Sequence, residues 1–294
     1  MSIPEAQLQV WSNQGAVITA QNTHNSIRTA LEDYRWPDGV RYEAYLQGSY
    51  RNSTNIYGNS DVDLVVELTS AYWSNLTEEE KVKLGWERAN YNWDQFRGDV
   101  IVALVNYYGN TLVDINGNKS IKVLPDNSGR LKADIVVSGS YRHYENLKIA
   151  AEGITFWTQV GSQQIINFPK LHYENGADKN SGHRTIGWYR KSTRMFKNAR
   201  DKIVGEKPEL KGRFPSYFIE CLLYNVPDKC FRYSFQNIYI SIVNWLDDQF
   251  DQNKTNEFVC QNDFYYLFGS NSVQWNISDA RQLVNVLLEL WSNW

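Results

Sequence analysis

Residues 46–68 read LQGSYRNSTNIYGNSDVDLVVEL, and the fold of the chain turns on this stretch. Its second half, DVDLVVEL, alternates and is rich in β-branched residues, as a strand requires. Such a strand should not carry Asp61 and Asp63 two positions apart without partners. Period-two alternation points both carboxylates to one face, where they repel each other unless a cation intervenes. Hard oxygen donors in small number suit Mg²⁺. Asp134 opens a further strand, ADIVV, and could bring a third carboxylate; three can hold two metal ions for an in-line phosphoryl displacement. Gly48 and Ser49 supply the complementary half. A glycine lets backbone approach a phosphate, and a helix starting at Ser49 would turn its free N–H groups towards the anion. The GxxxxGK[ST] phosphate loop is absent.

The surrounding pattern is mixed. Apolar spacing predicts a helix over 4–33 with a weak point at Gly15, then a turn at WPDG (36–39) and a short strand ending at Gly48. Thr77 and Glu80 form a capping box that opens a helix, and a second helix covers about 92–108. SIKVL and LKADIVV flank the loop PDNSGR and read as an antiparallel pair, as do GITFWTQ and QIINFP. Beyond Pro169 the pattern turns helical, with runs around 186–203, 215–224, 235–250 and 277–292. The division expected is 1–168, a mixed α/β core with its N-terminal helix, and 169–294, a helical lobe. GSYR occurs at 48–51 and again at 139–142; the second copy has no following Asp-x-Asp and reads as coincidence.

Composition bounds the function. The chain has 294 residues, 42% of them apolar, with a net charge of −3. That suffices for a substantial core and argues against disorder. The acidic balance disfavours duplex DNA as a ligand. Cys221, Cys230 and Cys260 have no CxxC spacing, so neither a zinc cluster nor a disulfide framework is expected. The opening MSIPEAQLQVWSNQ lacks the basic-then-apolar pattern of a signal peptide, and no apolar run approaches membrane-spanning length. A cytoplasmic chain without membrane attachment is expected.

The order GSYRNST, six residues, DVD, and then the ADIVV aspartate resembles the nucleotidyltransferases of the DNA polymerase β superfamily. Within it the chain is similar to the bacterial cGAS/DncV-like enzymes of CBASS anti-phage systems. FPKLHYENGADKN, the T-x-G-W-Y-R-K-x-x-R-x-x-K pattern from Thr185 and FPSYFIECLLYNVP extend the likeness over most of 40–225. The resemblance implies an α+β fold of two lobes, a mixed sheet with helices plus a C-terminal helical lobe, and an active site in the cleft. It implies synthesis of a cyclic oligonucleotide, typically a cyclic dinucleotide, from NTPs such as ATP and GTP, with pyrophosphate release, for antiviral signalling through a downstream effector. The alternative is nucleotide addition to an RNA, protein or small-molecule acceptor. Carried over by position, Asp61, Asp63 and Asp134 bind Mg²⁺, with Mn²⁺ as a substitute, and Asp134 serves the metal that activates the attacking hydroxyl. Gly48 and Ser49 hold the triphosphate, joined from the helical side by Lys197 and Ser216. Arg190, Arg194 and Lys197 share one helix face, so Arg194 is a further candidate, and Tyr217 is a candidate to stack a base. His172 and His183 read as structural. A monomer is expected, and DNA-triggered activation is not, since the Cys/His insertion and basic surface of animal cyclic GMP-AMP synthase are missing.

Overall fold

A computed structural model describes residues 2–15, 17–58, 61–87, 89–127, 129–271 and 273–294, and the chain divides into two compact units. One comprises 16–51 and 60–169 and is built on a sheet. The other comprises 1–15, 52–59 and 170–294 and is helical.

The sheet unit begins with α2 (Ile18–Glu32), which follows α1 (Glu5–Trp11) of the helical unit. The single helix expected over 4–33 is thus two. The break falls at Gly15, where a Cβ would lie 2.6 Å from the Ile56 carbonyl oxygen. Next come β1 (Tyr42–Leu46), α3 (Gly48–Asn52) and β2 (Val62–Ser74), then α4 (Glu78–Lys83) and α5 (Trp93–Tyr108). The Thr77–Glu80 capping box is present, and Asn92 with Gln95 forms another ahead of α5. Strands β3 (Val113–Asp114), β4 (Ile121–Val123), β5 (Ala133–Glu145), β6 (Lys148–Trp157) and β7 (Gln164–Asn167) complete the seven-stranded sheet. The order is β1-β2-β5-β4-β3, with β6 pairing the later half of β5 and β7 pairing β6. The two expected antiparallel pairs are β4–β5 and β6–β7; of the PDNSGR loop between β4 and β5, Ser128 lies outside the described residues. The pair β2–β5 is parallel, in a register that sets Asp63 beside Asp134.

Alternation along β2 decides what each face holds. Val62, Leu64, Val66 and Leu68 join Ile27 and Leu31 of α2 and Phe96, Val100 and Leu104 of α5 in one buried cluster. At about 1.5–3 kcal/mol per fully buried apolar side chain, this packing fixes the strand register. Asp63, Val65 and Glu67 therefore point to the opposite face. Glu67, buried there, accepts hydrogen bonds from Tyr45 (2.8 Å) and Ser140 (2.6 Å).

The helical unit comprises α1 with α6 (Pro169–Lys179), α7 (Trp188–Glu206), α8 (Ser216–Tyr224), α9 (Phe235–Asp251) and α10 (Ile277–Ser292). Its core is aromatic: Tyr239 stacks on Phe196 at 5.0 Å and on Trp291 at 5.3 Å. Residues 2–15 and 52–58, assigned from sequence to the first region, pack here instead. Ile3 and Leu8 are buried in this core. The Glu5 carboxylate accepts from the backbone N–H of Phe235 and Gln236 at 2.8 Å each, satisfying free donors at the start of α9. Among the described residues no helix is long and apolar enough to cross a membrane.

Candidate active site

The parallel register of β2 and β5 brings the start of both strands together. Asp63 lies opposite Asp134, and the Val62 N–H donates to the Lys132 carbonyl at 2.9 Å, so Asp61 and Lys132 occupy matching positions just ahead of the strands. The Lys132 ammonium binds Asp61 Oδ2 at 2.5 Å and stands 3.8 Å from Asp134 Oδ1. Its pKa is raised, chiefly by the hydrogen bond to Asp61. Asp134 is raised too: burial is the main cause, Lys132 opposes it, and the charge of Asp61 adds to it. Sequence reasoning overlooked Lys132, although it stands two residues before Asp134, just as Asp61 stands two before Asp63.

Helix α3 begins against these carboxylates. Gly48 has φ +62°, in the left-handed region that favours glycine, and a Cβ there would run into the Asp63 carboxylate. The Tyr50 hydroxyl is held neutral to higher pH by burial and by the charges of Asp61 and Asp63. Gly48, Ser49 and the three aspartates are thus gathered at one end of one sheet.

A divalent cation fits this donor set. Asp134 Oδ1 is buried without a hydrogen bond, an orphan acceptor of the kind a cation satisfies. As placed, no three His, Cys, Asp or Glu side chains among the described residues form a ready metal cluster. The Lys132 ammonium takes up part of the negative charge instead.

The residues carried over onto the helical unit have a different environment. Lys197 is 1% exposed. Its ammonium binds Glu220 at 2.5 Å and donates to the Thr54 carbonyl and hydroxyl at 3.1 and 3.2 Å. Glu220, 3% exposed, also accepts from Thr54 Oγ1 at 2.7 Å and Asn52 Nδ2 at 3.2 Å, and faces His172 Nε2 at 2.9 Å. Burial alone would raise the Glu220 pKa, but Lys197 and His172 hold it well below the usual carboxylate range. Arg194 donates to the Ser12 carbonyl at 2.6 Å and to the Ser53 carbonyl. Burial, with Arg190 nearby, lowers its pKa to about 10. The cationic face of α7 is therefore partly inward-facing: Arg194 and Lys197 anchor residues 52–55. Ser216 is the first residue of α8 and accepts from Arg200 at 3.3 Å. The Tyr217 ring stacks on His172 at 4.8 Å and packs on Trp275 at 5.4 Å. His172 is buried, whereas His183 is exposed and pairs with Asp178 at 3.3 Å. The three cysteines are free and buried.

Comparison with known proteins identifies the family. Residues 174–292 match the cGAS/DncV-like nucleotidyltransferase C-terminal helical domain. The chain is 45% identical, over all of its length and 99% of the relative's, to a cyclic UMP-AMP synthase of Rhodothermus marinus. It is 37% identical to a cyclic nucleotide synthase of Staphylococcus haemolyticus, with all of both chains covered. The R. marinus synthase solved with Apcpp and Upnpp superposes with a TM-score of 0.91, covering 99% of this chain and 97% of that one. A cyclic dinucleotide synthase of Elizabethkingia meningoseptica, solved with GTP and Apcpp, gives a TM-score of 0.80 at 26% identity, covering 99% and 100%. Enzymes of this kind generally use divalent metal ions. The chain belongs to the cGAS/DncV-like nucleotidyltransferases and is a cyclic oligonucleotide synthase that acts on nucleoside triphosphates.

Proposed function

We propose that the chain joins one uridine and one adenosine nucleotide into a cyclic dinucleotide, using Mg²⁺, as a second messenger in antiviral signalling. The observation that carries the choice of bases is the 45% identity across the whole chain to a cyclic UMP-AMP synthase. Relatives that make dipurine or dipyrimidine products stand lower, at 27–32%.

Asp61, Asp63 and Asp134 are the residues that would hold the metal. A bound divalent cation supplies neutralising charge at the transferring phosphate and lowers the pKa of the attacking hydroxyl. The protein's own contribution is preorganisation. The β2–β5 register fixes the carboxylates, and Lys132 balances their charge before nucleotide arrives. Gly48 lets backbone lie against Asp63, so that the first N–H groups of α3 and the Ser49 hydroxyl can face a triphosphate oxygen. Ring closure repeats the same displacement with the second nucleotide's triphosphate, so one set of carboxylates serves both bonds. The inward contacts of Lys197 and Arg194 support an anchoring role for both, in place of the direct phosphate contact expected from sequence. For Ser216 to touch a triphosphate and Tyr217 to stack a base, each would exchange its present contact with Arg200 or with His172 and Trp275.

The test is incubation of the purified chain with Mg²⁺ and the four labelled NTPs, singly and in pairs, followed by alkaline phosphatase. A phosphatase-resistant product that needs both UTP and ATP is expected. A resistant product from another pair would overturn the base assignment. A product that phosphatase attacks, or that forms only with an added RNA or protein acceptor, would overturn the cyclic dinucleotide itself.

A further inference from the structure

Strand β2 runs ten residues from Asp63 to Trp73, roughly 30 Å at about 3.3 Å per residue, and at its far end the sheet unit carries a cavity. The cavity has a volume of about 350 Å³ and is walled by three indoles, Trp73, Trp93 and Trp157. Trp157 stands at 53° to Trp93 with centroids 5.1 Å apart, and at 64° to Trp73 at 5.7 Å, so the rings meet as a corner. Two features hold that corner in place. The Trp93 Nε1–H donates to the Val137 carbonyl at 2.8 Å, which fixes the ring's orientation. Trp73 lies over Gly139, where a Cβ would fall 2.9 Å from Cη2 and closer still to other ring atoms, so any other residue there would displace the indole.

The rest of the lining gives the sign of the ligand. Among the described residues it includes one carboxylate, Asp94, and neither Lys nor Arg. Arg97, which feels the charge of Asp94, does not line the cavity. Indole faces carry negative potential and attract organic cations more strongly than other rings do. A carboxylate beside them repels phosphate and favours a positive charge. We propose that this aromatic corner binds an alkylated ammonium group, apolar at its surface and cationic at its centre. The site is separate from nucleotide chemistry and does not depend on which bases the enzyme joins.

The test uses the full chain labelled with ¹⁵N, whose eleven tryptophans each give an indole N–H signal. Choline is the probe, and its neutral carbon isostere 3,3-dimethylbutan-1-ol is the control. Choline should shift the Trp73, Trp93 and Trp157 signals, and the alcohol should bind at least about tenfold more weakly because it lacks the cation–π attraction. Trp157→Ala should abolish the shifts. Asp94→Asn, a near-isosteric change at an exposed position, should weaken binding by about three- to tenfold. Equal binding of the alcohol, shifts confined to other indoles, no shifts at all, or an Asp94→Asn variant that binds choline unchanged would each overturn the proposal.

Discussion

The chain has two charged clusters that resemble each other in composition and differ in what they can do. In the sheet unit, Lys132 meets Asp61 and Asp134 with side chains 32%, 45% and 27% exposed. In the helical unit, Lys197 meets Glu220 with side chains 1% and 4% exposed. The first cluster has more carboxylate than cation and one orphan acceptor, Asp134 Oδ1. It has charge left over for a metal. In the second, both Glu220 oxygens are engaged by Lys197, Thr54, Asn52 and His172. A buried ion pair of that kind has paid its desolvation cost and punishes the loss of either partner. Sequence position made both look like phosphate chemistry; burial separates them.

The sharpest way to break the comparison is to remove charge from each cluster in turn. Asp63→Asn should lower synthesis by about a thousandfold or more, because a divalent cation that neutralises the transferring phosphate would lose one of its ligands. The melting temperature should stay within a degree or two (a surface-type change of about 0.5 kcal/mol), since mutual repulsion among the carboxylates is relieved. Glu220→Gln should do the reverse. It strands the Lys197 ammonium and should cost about 3–5 kcal/mol of stability in urea unfolding. Lys197→Met combined with Glu220→Gln should be less unstable than the sum of the two single changes, since each already breaks the same pair. Additive losses would mean that Lys197 has a separate task.

The same cluster sets an acid limit. The folded pKa of Glu220 is depressed, so its contribution is complete above the unfolded carboxylate value of about 4.3 and is lost as pH falls towards the folded value. Unfolding followed from pH 6 down to pH 3 should show a declining stability that flattens in Glu220→Gln. An unchanged slope in that variant would remove Glu220 from the acid response.

Gly48→Ala probes the sheet cluster more gently. The new Cβ meets the Asp63 carboxylate, and φ +62° adds its own strain of about 1–2 kcal/mol. Synthesis should fall by about ten- to a hundredfold, through displaced catalytic groups rather than lost charge. If activity stays within twofold of the parent, the close approach of α3 to Asp63 does not matter to the reaction.

How much of this was legible follows from particular residues. Asp61 and Asp63 could be set on one strand face, and Asp134 at a strand start, because alternation along a strand is local; the parallel pairing that puts Asp63 beside Asp134 is not written in either strand alone. The capping box at Thr77 and the span of α5 were legible for the same reason. GSYR marks the limit: it is helical at 48–51 and extended at 139–142. In the second copy the pairing with β2 and β6 overrides any local preference. Lys197 marks another limit. Its helical spacing from Arg190 and Arg194 described a cationic face, but no local pattern says that Glu220, 23 residues on, and Thr54, 143 residues back, close over it. The same holds for residues 2–15, whose place in the helical unit depends on Glu5 reaching the start of α9.

Two hydroxyls five residues apart in the opening motif give the finest test. Thr54 is 2% exposed and donates to Glu220 at 2.7 Å while accepting from Lys197 at 3.2 Å. Thr54→Val keeps the shape and removes both bonds, so stability should fall by about 1–3 kcal/mol while KM for the NTPs stays the same. Ser49 lies in the first turn of α3, half-buried beside Gly48. Its hydroxyl is one donor among several, because the backbone N–H groups of that turn remain when it is removed. Ser49→Ala should therefore raise KM by less than about tenfold, with kcat and melting temperature unchanged, as expected for a contact made equally in ground and transition states. The two variants together form a crossed pair, one read in unfolding and the other in KM. A Thr54→Val enzyme with normal stability but raised KM would move the helical-unit cluster into the nucleotide site. A Ser49→Ala enzyme with normal KM would leave the backbone of α3 as the whole of the triphosphate cradle on that side.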